Sequence, residues 1–204
     1  MDRFSELEVK YNAPGVTITA FEAAFSKKMI RRVVGTDTYY VDPVRNVLRY
    51  RRGENETVPA LTYKRRKNGG DSVDRVEVDL YLNLERATEV DVKTFLEKLG
   101  YIPHFTITKE SHIVKVKDLV AEGAGTEALV VVALYDVLSP AGGLFRYLEI
   151  EIDKSSNCKE FEARDVLRGW SKELETKLRL DKPLGTSLYE IHAPRNELYV
   201  PDSF

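Results

Sequence analysis

A single cysteine, Cys158, in 204 residues excludes an internal disulfide, and with it the zinc sites that need several thiolates. Histidine is scarce too. His104, His112 and His192 stand apart without metal-ligand spacing, so each reads as an ordinary structural residue. Neither sign of charge dominates: 31 Lys and Arg against 33 Asp and Glu leave a net charge of -2, which argues against a general nucleic-acid-binding surface. No apolar run approaches the roughly 20 residues of a membrane-spanning helix, and no signal peptide opens the chain. A soluble cytoplasmic protein without membrane partners is the expectation. No Gly-, Ser- or Pro-rich linker, internal period or low-complexity tract divides the sequence, so residues 1–204 are read as one domain, large enough to bury a proper core. Missing as well is any Ser/His/Asp or Cys/His arrangement for nucleophilic catalysis. Asn68-Gly69-Gly70 has neither the Walker pattern nor a helix behind it, so it is no phosphate loop.

What the chain does have is charge in strict alternation. In Ser5-Glu6-Leu7-Glu8-Val9-Lys10-Tyr11 successive side chains of an extended strand point to opposite faces, so Glu6, Glu8 and Lys10 share one face and Leu7, Val9 and Tyr11 the other. One such strand is the ordinary mark of a half-solvated antiparallel sheet. The parity recurs, however, in Arg49 and Arg51, in Lys64 and Arg66, in Arg75, Glu77 and Asp79, and in Glu149, Glu151 and Asp153. Such a sheet either turns its charged face to water or closes around it.

Taken in order, Thr19 and Glu22 have the spacing of a capping box, and Ile18, Phe21, Phe25 and Met29 predict a helix to about Arg31. Four strands follow, over Val33–Asp42, Val47–Arg52, Val58–Lys67 and Ser72–Leu82, separated by turn-forming residues. Thr88 caps a short helix that Gly100 ends, with Val92, Phe95, Leu96 and Leu99 facing inward. Tyr101–Val116 is a long strand or bent pair, Glu127–Leu138 a nearly continuous apolar strand, and Leu144–Lys154 the strand carrying Glu149 and Glu151. Phe161, Val166, Leu167, Trp170, Leu174 and Leu178 mark the longest helix, between Lys159 and Leu180. Tyr39, Tyr40 and Tyr63 are strand tyrosines, read as core or as stacking surfaces for a ring.

The ordered set Glu6-x-Glu8-x-Lys10, Arg49-x-Arg51, Lys64, Arg75-x-Glu77 and Glu149-x-Glu151 resembles the CYTH family of triphosphate tunnel metalloenzymes over nearly the whole chain. The resemblance implies an α+β fold, a closed antiparallel eight-stranded β-barrel with helices packed on its outside, and a lumen holding a triphosphate and a divalent metal. Hard cations take oxygen ligands, so two Glu-x-Glu pairs facing each other across the barrel, Glu6, Glu8, Glu149 and Glu151, are the expected ligands of Mg2+ or Mn2+. Lys10, Arg49, Arg51, Lys64, Arg66, Arg75 and Lys109 are the expected phosphate contacts. Lys10, Glu77 and Asp136 are the candidates for catalytic roles, with Asp79 beside them. Where the family shows Lys-x-Arg this chain has Lys109-Glu110-Ser111; Lys109 matches, Ser111 does not, and Lys115 or Lys117 is a neighbouring substitute. The tail from Thr186 to Glu190 resembles the family's short terminal segment with its residues shifted. The implied activity is metal-dependent hydrolysis of the terminal phosphate of tripolyphosphate, thiamine triphosphate or a nucleoside triphosphate, by a monomer or homodimer. The alternatives are a class IV-like adenylyl cyclase and a non-catalytic nucleotide- or polyphosphate-binding protein.

Overall fold

The computed structural model describes residues 6–26, 28–44, 46–54, 58–66, 74–83, 88–120 and 127–194, with the backbone alone described at 6, 64–66 and 74–77. Its elements are β1 (Glu6–Asn12), α1 (Ile18–Ala24), β2 (Ile30–Val41), β3 (Val47–Gly53), β4 (Ala60–Arg66), β5 (Asp74–Tyr81), α2 (Glu89–Lys98), β6 (Ile102–Leu119), β7 (Glu127–Leu138), β8 (Leu144–Ile152), α3 (Glu160–Leu178) and α4 (Leu188–His192). The strands from β2 to β5 lie within three residues of their expected bounds. The turn at 68–70 and the loop at 121–125 lie outside the described residues.

The strands form a ring in the order β1-β5-β4-β3-β2-β6-β7-β8. Two antiparallel meanders, β2 to β5 and β6 to β8, share the β2–β6 ladder, and β1 slots between their remaining edges. The β1–β8 seam runs from Leu7↔Ile152 to Asn12↔Tyr147, and among the described residues the β1–β5 seam pairs Glu6↔Arg75 and Leu7↔Asp74. The ring closes at that second seam. This order corrects one expectation: the two Glu-x-Glu motifs do not face each other across the barrel but sit on adjacent strands, with Glu8 opposite Glu151 and Lys10 opposite Glu149.

Alternation decides what each face packs against. Leu7 and Tyr11 of β1, Val130, Val132 and Leu134 of β7, and Leu148, Ile150 and Ile152 of β8 are buried outside the ring, beneath Ala163, Leu167 and Leu174 of α3 and Phe21 of α1. Each such aliphatic side chain contributes about 1.5–3 kcal/mol on burial, so this layer anchors the strands that carry the glutamates. The Tyr11 hydroxyl donates to Glu175 Oε1 at 2.9 Å and the Trp170 indole N–H to Asp118 Oδ2 at 2.8 Å, so both polar tips are satisfied. Across the ring, Val92 and Leu96 of α2 cover Tyr40, Tyr50 and Leu61. Thr88 and Asp91 form a reciprocal capping box at its start, and Gly100, with φ +87°, follows its end.

The first helix is shorter than its apolar spacing predicts. It ends at Ala24, is capped by Thr17 accepting from the Ala20 N–H at 3.0 Å, and leaves Met29 87 % exposed. Phe25 turns inward to stack against Trp170 with ring centroids 6.1 Å apart. The segment from Ile30, with Val33 and Val34, is taken by pairing with β6, beginning at Ile30↔Val114, where β-branched residues pack better than in a helix. The tail forms α4 behind a Ser187–Glu190 capping box. Its Leu188 and Tyr189 are buried against Tyr39, Phe105, Ile107, Tyr135, Val137 and Tyr147, so α4 stops one end of the barrel. Tyr147 and His192 Nε2 hydrogen-bond at 3.1 Å, as do His104 Nδ1 and the Tyr189 hydroxyl; two of the three histidines thus hold the stopper in place.

Candidate active site

The inner face of the ring holds a cavity of about 140 Å³ whose lining includes Asp37, Arg51, Lys109, Tyr135, Glu149 and Glu151. Glu8 and Lys10 lie beside it, only 4 % and 5 % exposed. The Lys10 ammonium lies 3.0 Å from Glu149 Oε2 and 3.4 Å from Glu8 Oε1. The Tyr135 hydroxyl donates to the same Glu149 oxygen at 3.0 Å. Burial, then the charges of Glu149 and Glu8, push the Tyr135 phenol well above its ordinary pKa, so it stays a donor and Glu149 an acceptor.

Opposite this group, Arg51 makes a forked pair with Asp37, Nε to Oδ1 at 2.7 Å and Nη2 to Oδ2 at 2.9 Å. Burial acts to raise the Asp37 pKa, but Arg51, with Arg49 and Lys109 behind it, overrides burial and holds the carboxyl well below the usual range. Asp37 was not singled out in the sequence. The signal available was a lone acid in mid-strand, Gly35-Thr36-Asp37-Thr38-Tyr39, where Asp is disfavoured unless it has a partner. Thr62, which is buried, was missed too: it accepts from Arg49 at 3.1 Å and donates to Asp79 Oδ1 at 2.8 Å, and Lys154 lies 3.4 Å from the other Asp79 oxygen.

Lys109 differs from the other cations. Among the described residues no carboxylate lies within ion-pair distance of it; its ammonium sits 4.1 Å above the Tyr135 ring. Burial first, and then the neighbouring Arg51, lower its pKa to about 8. The unfolded chain keeps that proton up to about 10.5, so between those values the unfolded state binds more protons and stability rises with pH. Anion binding has the opposite sign, because it draws on the charged form. Unfolding and tripolyphosphate affinity measured from pH 7.5 to 9.5 are expected to diverge, stability rising while affinity falls. The Lys109→Gln variant removes this residue's share of both trends, which is read as the difference from the wild type.

One expected site residue faces the other way. Asp136 alternates with Tyr135 and Val137, which point inward, so its carboxylate lies outside the ring. There Arg146 holds it with two bonds of 2.7 and 2.6 Å and donates a third to the Val16 carbonyl at 2.9 Å. Asp136 is a structural clamp between β7, β8 and the turn after β1, and its catalytic candidacy is withdrawn. In register, Arg49 faces Thr62, Arg51 faces Ala60 and Lys64 faces Glu77, and only Arg66↔Arg75 sets like charges opposite one another. The side chains of Glu6, Lys64, Arg66, Arg75 and Glu77 lie outside the described residues, although their strands place them on the ring at these positions.

Glu8, Glu149 and Glu151 offer hard oxygen donors on neighbouring strands, with Glu8 and Glu151 directly opposed, a spacing of about 4.5–5.5 Å between Cβ atoms. Among the described residues no three His, Cys, Asp or Glu side chains converge as a ready-made ion cage. Oxygen donors of this kind fit a hard divalent cation, whose shell phosphate oxygens and water would complete.

The sequence profile of the CYTH domain matches residues 5–179. No curated protein matches the chain at a significant level. Among solved structures, the PH1819 protein of Pyrococcus horikoshii OT3 is similar at 20% identity and a TM-score of 0.65, covering 91% of this chain and 97% of its own. A conserved hypothetical protein from Pyrococcus furiosus is similar at 22% identity and a TM-score of 0.60, with 91% and 99% covered. HpAC1 from Hippeastrum, described as having a dominant triphosphatase activity, is similar at 12% identity and a TM-score of 0.60, with 92% and 94% covered. These likenesses extend the agreement in fold over the whole barrel. With a profile match spanning β1 through α3 and an inner face built from alternating acids and bases, the chain belongs to the CYTH domain family.

Proposed function

We propose that the lumen binds a small triphosphate and hydrolyses its terminal phosphate with the help of Mg2+ or Mn2+. The observation that carries this reading is Lys109, a half-buried cation that lines the cavity without a carboxylate partner among the described residues, 4.1 Å over an aromatic ring and beside the Asp37–Arg51 fork. A cation partly withdrawn from water and unpaired by any described acid gains most when an anion reaches it. Phosphoryl transfer asks a protein mainly for positioning and charge neutralisation. Lys109 and Arg51 supply both at the floor of the cavity, and the register positions of Lys64, Arg66 and Arg75 continue a basic wall around β4 and β5. Glu8, Glu149 and Glu151 are the proposed ligands of the divalent ion, which when bound would neutralise and polarise the phosphate oxygens. Lys10 positions Glu8 and Glu149 for that role, and the Tyr135 hydroxyl fixes the rotamer of Glu149. The attacking group is water: Ser111 is the one aliphatic hydroxyl lining the described cavity, and none of the described residues hydrogen-bonds it as a base.

The test is a substrate panel with product identification. Purified protein with Mg2+ or Mn2+ is expected to release orthophosphate from at least one of tripolyphosphate, thiamine triphosphate and the nucleoside triphosphates. Cyclic AMP and pyrophosphate from ATP would replace this reading with a cyclase. Tight triphosphate binding without turnover would replace it with a binding protein.

A further inference from the structure

Two arginines leave β3 on the lumen side, and each is tied to an acid in the opposite direction around the ring. Arg51 turns towards β2 and forks onto Asp37; on its other side it faces Ala60, which offers no polar side chain. Arg49, two residues earlier, has Thr62 opposite it on β4, and Thr62 has Asp79 opposite it on β5. These three make one row across adjacent strands, joined side chain to side chain. Arg49 Nη2 donates to Thr62 Oγ1 at 3.1 Å, and Thr62 Oγ1 donates to Asp79 Oδ1 at 2.8 Å. Lys154, two residues past β8, steadies the far end of the row at 3.4 Å from the other Asp79 oxygen.

The direction of each hydrogen bond in the row is fixed. A guanidinium only donates and a carboxylate only accepts, so the single hydroxyl proton of Thr62 points to Asp79 and a lone pair to Arg49. Thr62 is 1 % exposed, which keeps water from taking either place, and its branched side chain is stiff at χ1. A hydroxyl held in this way orients a guanidinium without the neutralisation that a carboxylate brings. Arg49 in turn bears on the cavity, since its charge helps to hold down the pKa values of Asp37 and Lys109, which line it. We infer that Thr62 is a positioning residue for phosphate binding: pinned by Asp79, it aims the Arg49 guanidinium into the lumen and so sets the grip on the phosphate chain. A misaimed guanidinium loses its forked match to phosphate. The inference rests on the triphosphate reading above and adds to it an uncharged residue that acts through another.

The experiment compares Thr62→Val, which keeps the shape and removes the hydroxyl, with Thr62→Ser, which restores it. The substrate is tripolyphosphate, thiamine triphosphate or ATP, whichever turns over fastest, at saturating Mg2+. Thr62→Val is expected to raise KM at least tenfold while kcat falls less than threefold, the pattern of lost binding rather than lost chemistry. Thr62→Ser is expected to recover most of that loss. In an Arg49→Met background Thr62→Val is expected to change KM less than twofold, because the residue acts only through the guanidinium. An unchanged KM in Thr62→Val, or an equal fold-change in both backgrounds, overturns the inference. Should Thr62→Val not fold, Asp79→Asn, which weakens the hold on the hydroxyl, is read the same way: a several-fold rise in KM that vanishes in Arg49→Met supports the inference, and no rise rejects it. If nothing is hydrolysed, the triphosphatase reading fails separately and calorimetric Kd values for tripolyphosphate take the place of KM. If tripolyphosphate does not bind either, ligand-free crystal structures decide. An Arg49 guanidinium displaced in Thr62→Val and back in place in Thr62→Ser supports the inference; one that keeps its place in Thr62→Val rejects it.

Discussion

Glu149→Gln is expected to lower kcat/KM for triphosphate hydrolysis by about 10³-fold while leaving the folded state nearly intact. Glu149 is the acceptor on which two groups converge, the Lys10 ammonium at 3.0 Å and the Tyr135 hydroxyl at 3.0 Å. Glutamine keeps the shape and an acceptor oxygen for Tyr135 but removes the charge that Lys10 and a divalent ion both require. A carboxylate that acts on the transition state through the divalent ion is comparable to one preorganised charge-stabilising group, whose loss costs about 10²–10³ in rate, while Glu8 at 3.4 Å keeps Lys10 paired in the folded state. The neighbouring Glu151→Gln should show a smaller loss. Steady-state kinetics with Mg2+ varied checks both, since a lost ligand raises the metal concentration needed for half-maximal rate and a merely misplaced side chain does not.

The second large effect is on stability. Arg51→Met leaves Asp37, 1 % exposed, as an unpaired buried carboxylate, and a loss of about 3–5 kcal/mol is expected, or about 10 °C in Tm for a domain of this size. Asp37→Leu combined with Arg51→Met should recover most of that stability, because two apolar residues of similar volume replace the pair, yet it should not recover anion binding. The pH dependence carries the same signature. Arg51 holds the Asp37 pKa far below the ordinary aspartate value of 3.8, so in the wild type this carboxylate's contribution to stability is fully present above about pH 4 and is lost as pH falls below that. In Arg51→Met the sign reverses: burial, the largest influence, is opposed only by the more distant charges of Arg49 and Lys109 and raises the pKa, so acidification relieves the unpaired charge. Unfolding curves at pH 3 and pH 7 separate the two cases.

Much of this site was legible because strand alternation is a strong local signal. Glu6, Glu8 and Lys10 share a parity with one another, as do Arg49 with Arg51 and Glu149 with Glu151, and the structure puts Arg51, Glu149 and Glu151 around one cavity, with Lys10 and Glu8 beside Glu149. Alternation says nothing about which strands are neighbours. Hence the glutamate pairs, expected across the barrel, lie on adjoining strands, where a cross-strand lysine can serve two carboxylates at once. Asp136 was misjudged for a related reason. In an apolar strand flanked on both sides by packing layers, one acid gives no parity of its own, and only the partner Arg146 on β8 reveals which face it occupies. Asp37 went unnoticed because its importance comes from Arg51 on a different strand. At α1 the sequence signal was real but local: Met29 continues the helical spacing, while pairing of Ile30 with β6 takes the chain away before that turn can form.

The claim that most needs testing is that protein carboxylates and bound phosphate share one ion. Mn2+ binding followed by electron paramagnetic resonance, with and without tripolyphosphate, addresses it directly in the wild type and in Glu149→Gln. The account predicts weak Mn2+ binding to the protein alone, binding at least tenfold tighter when tripolyphosphate is present, and loss of that enhancement in Glu149→Gln. Mn2+ affinity that is indifferent to tripolyphosphate, or an enhancement that survives in Glu149→Gln, would contradict it.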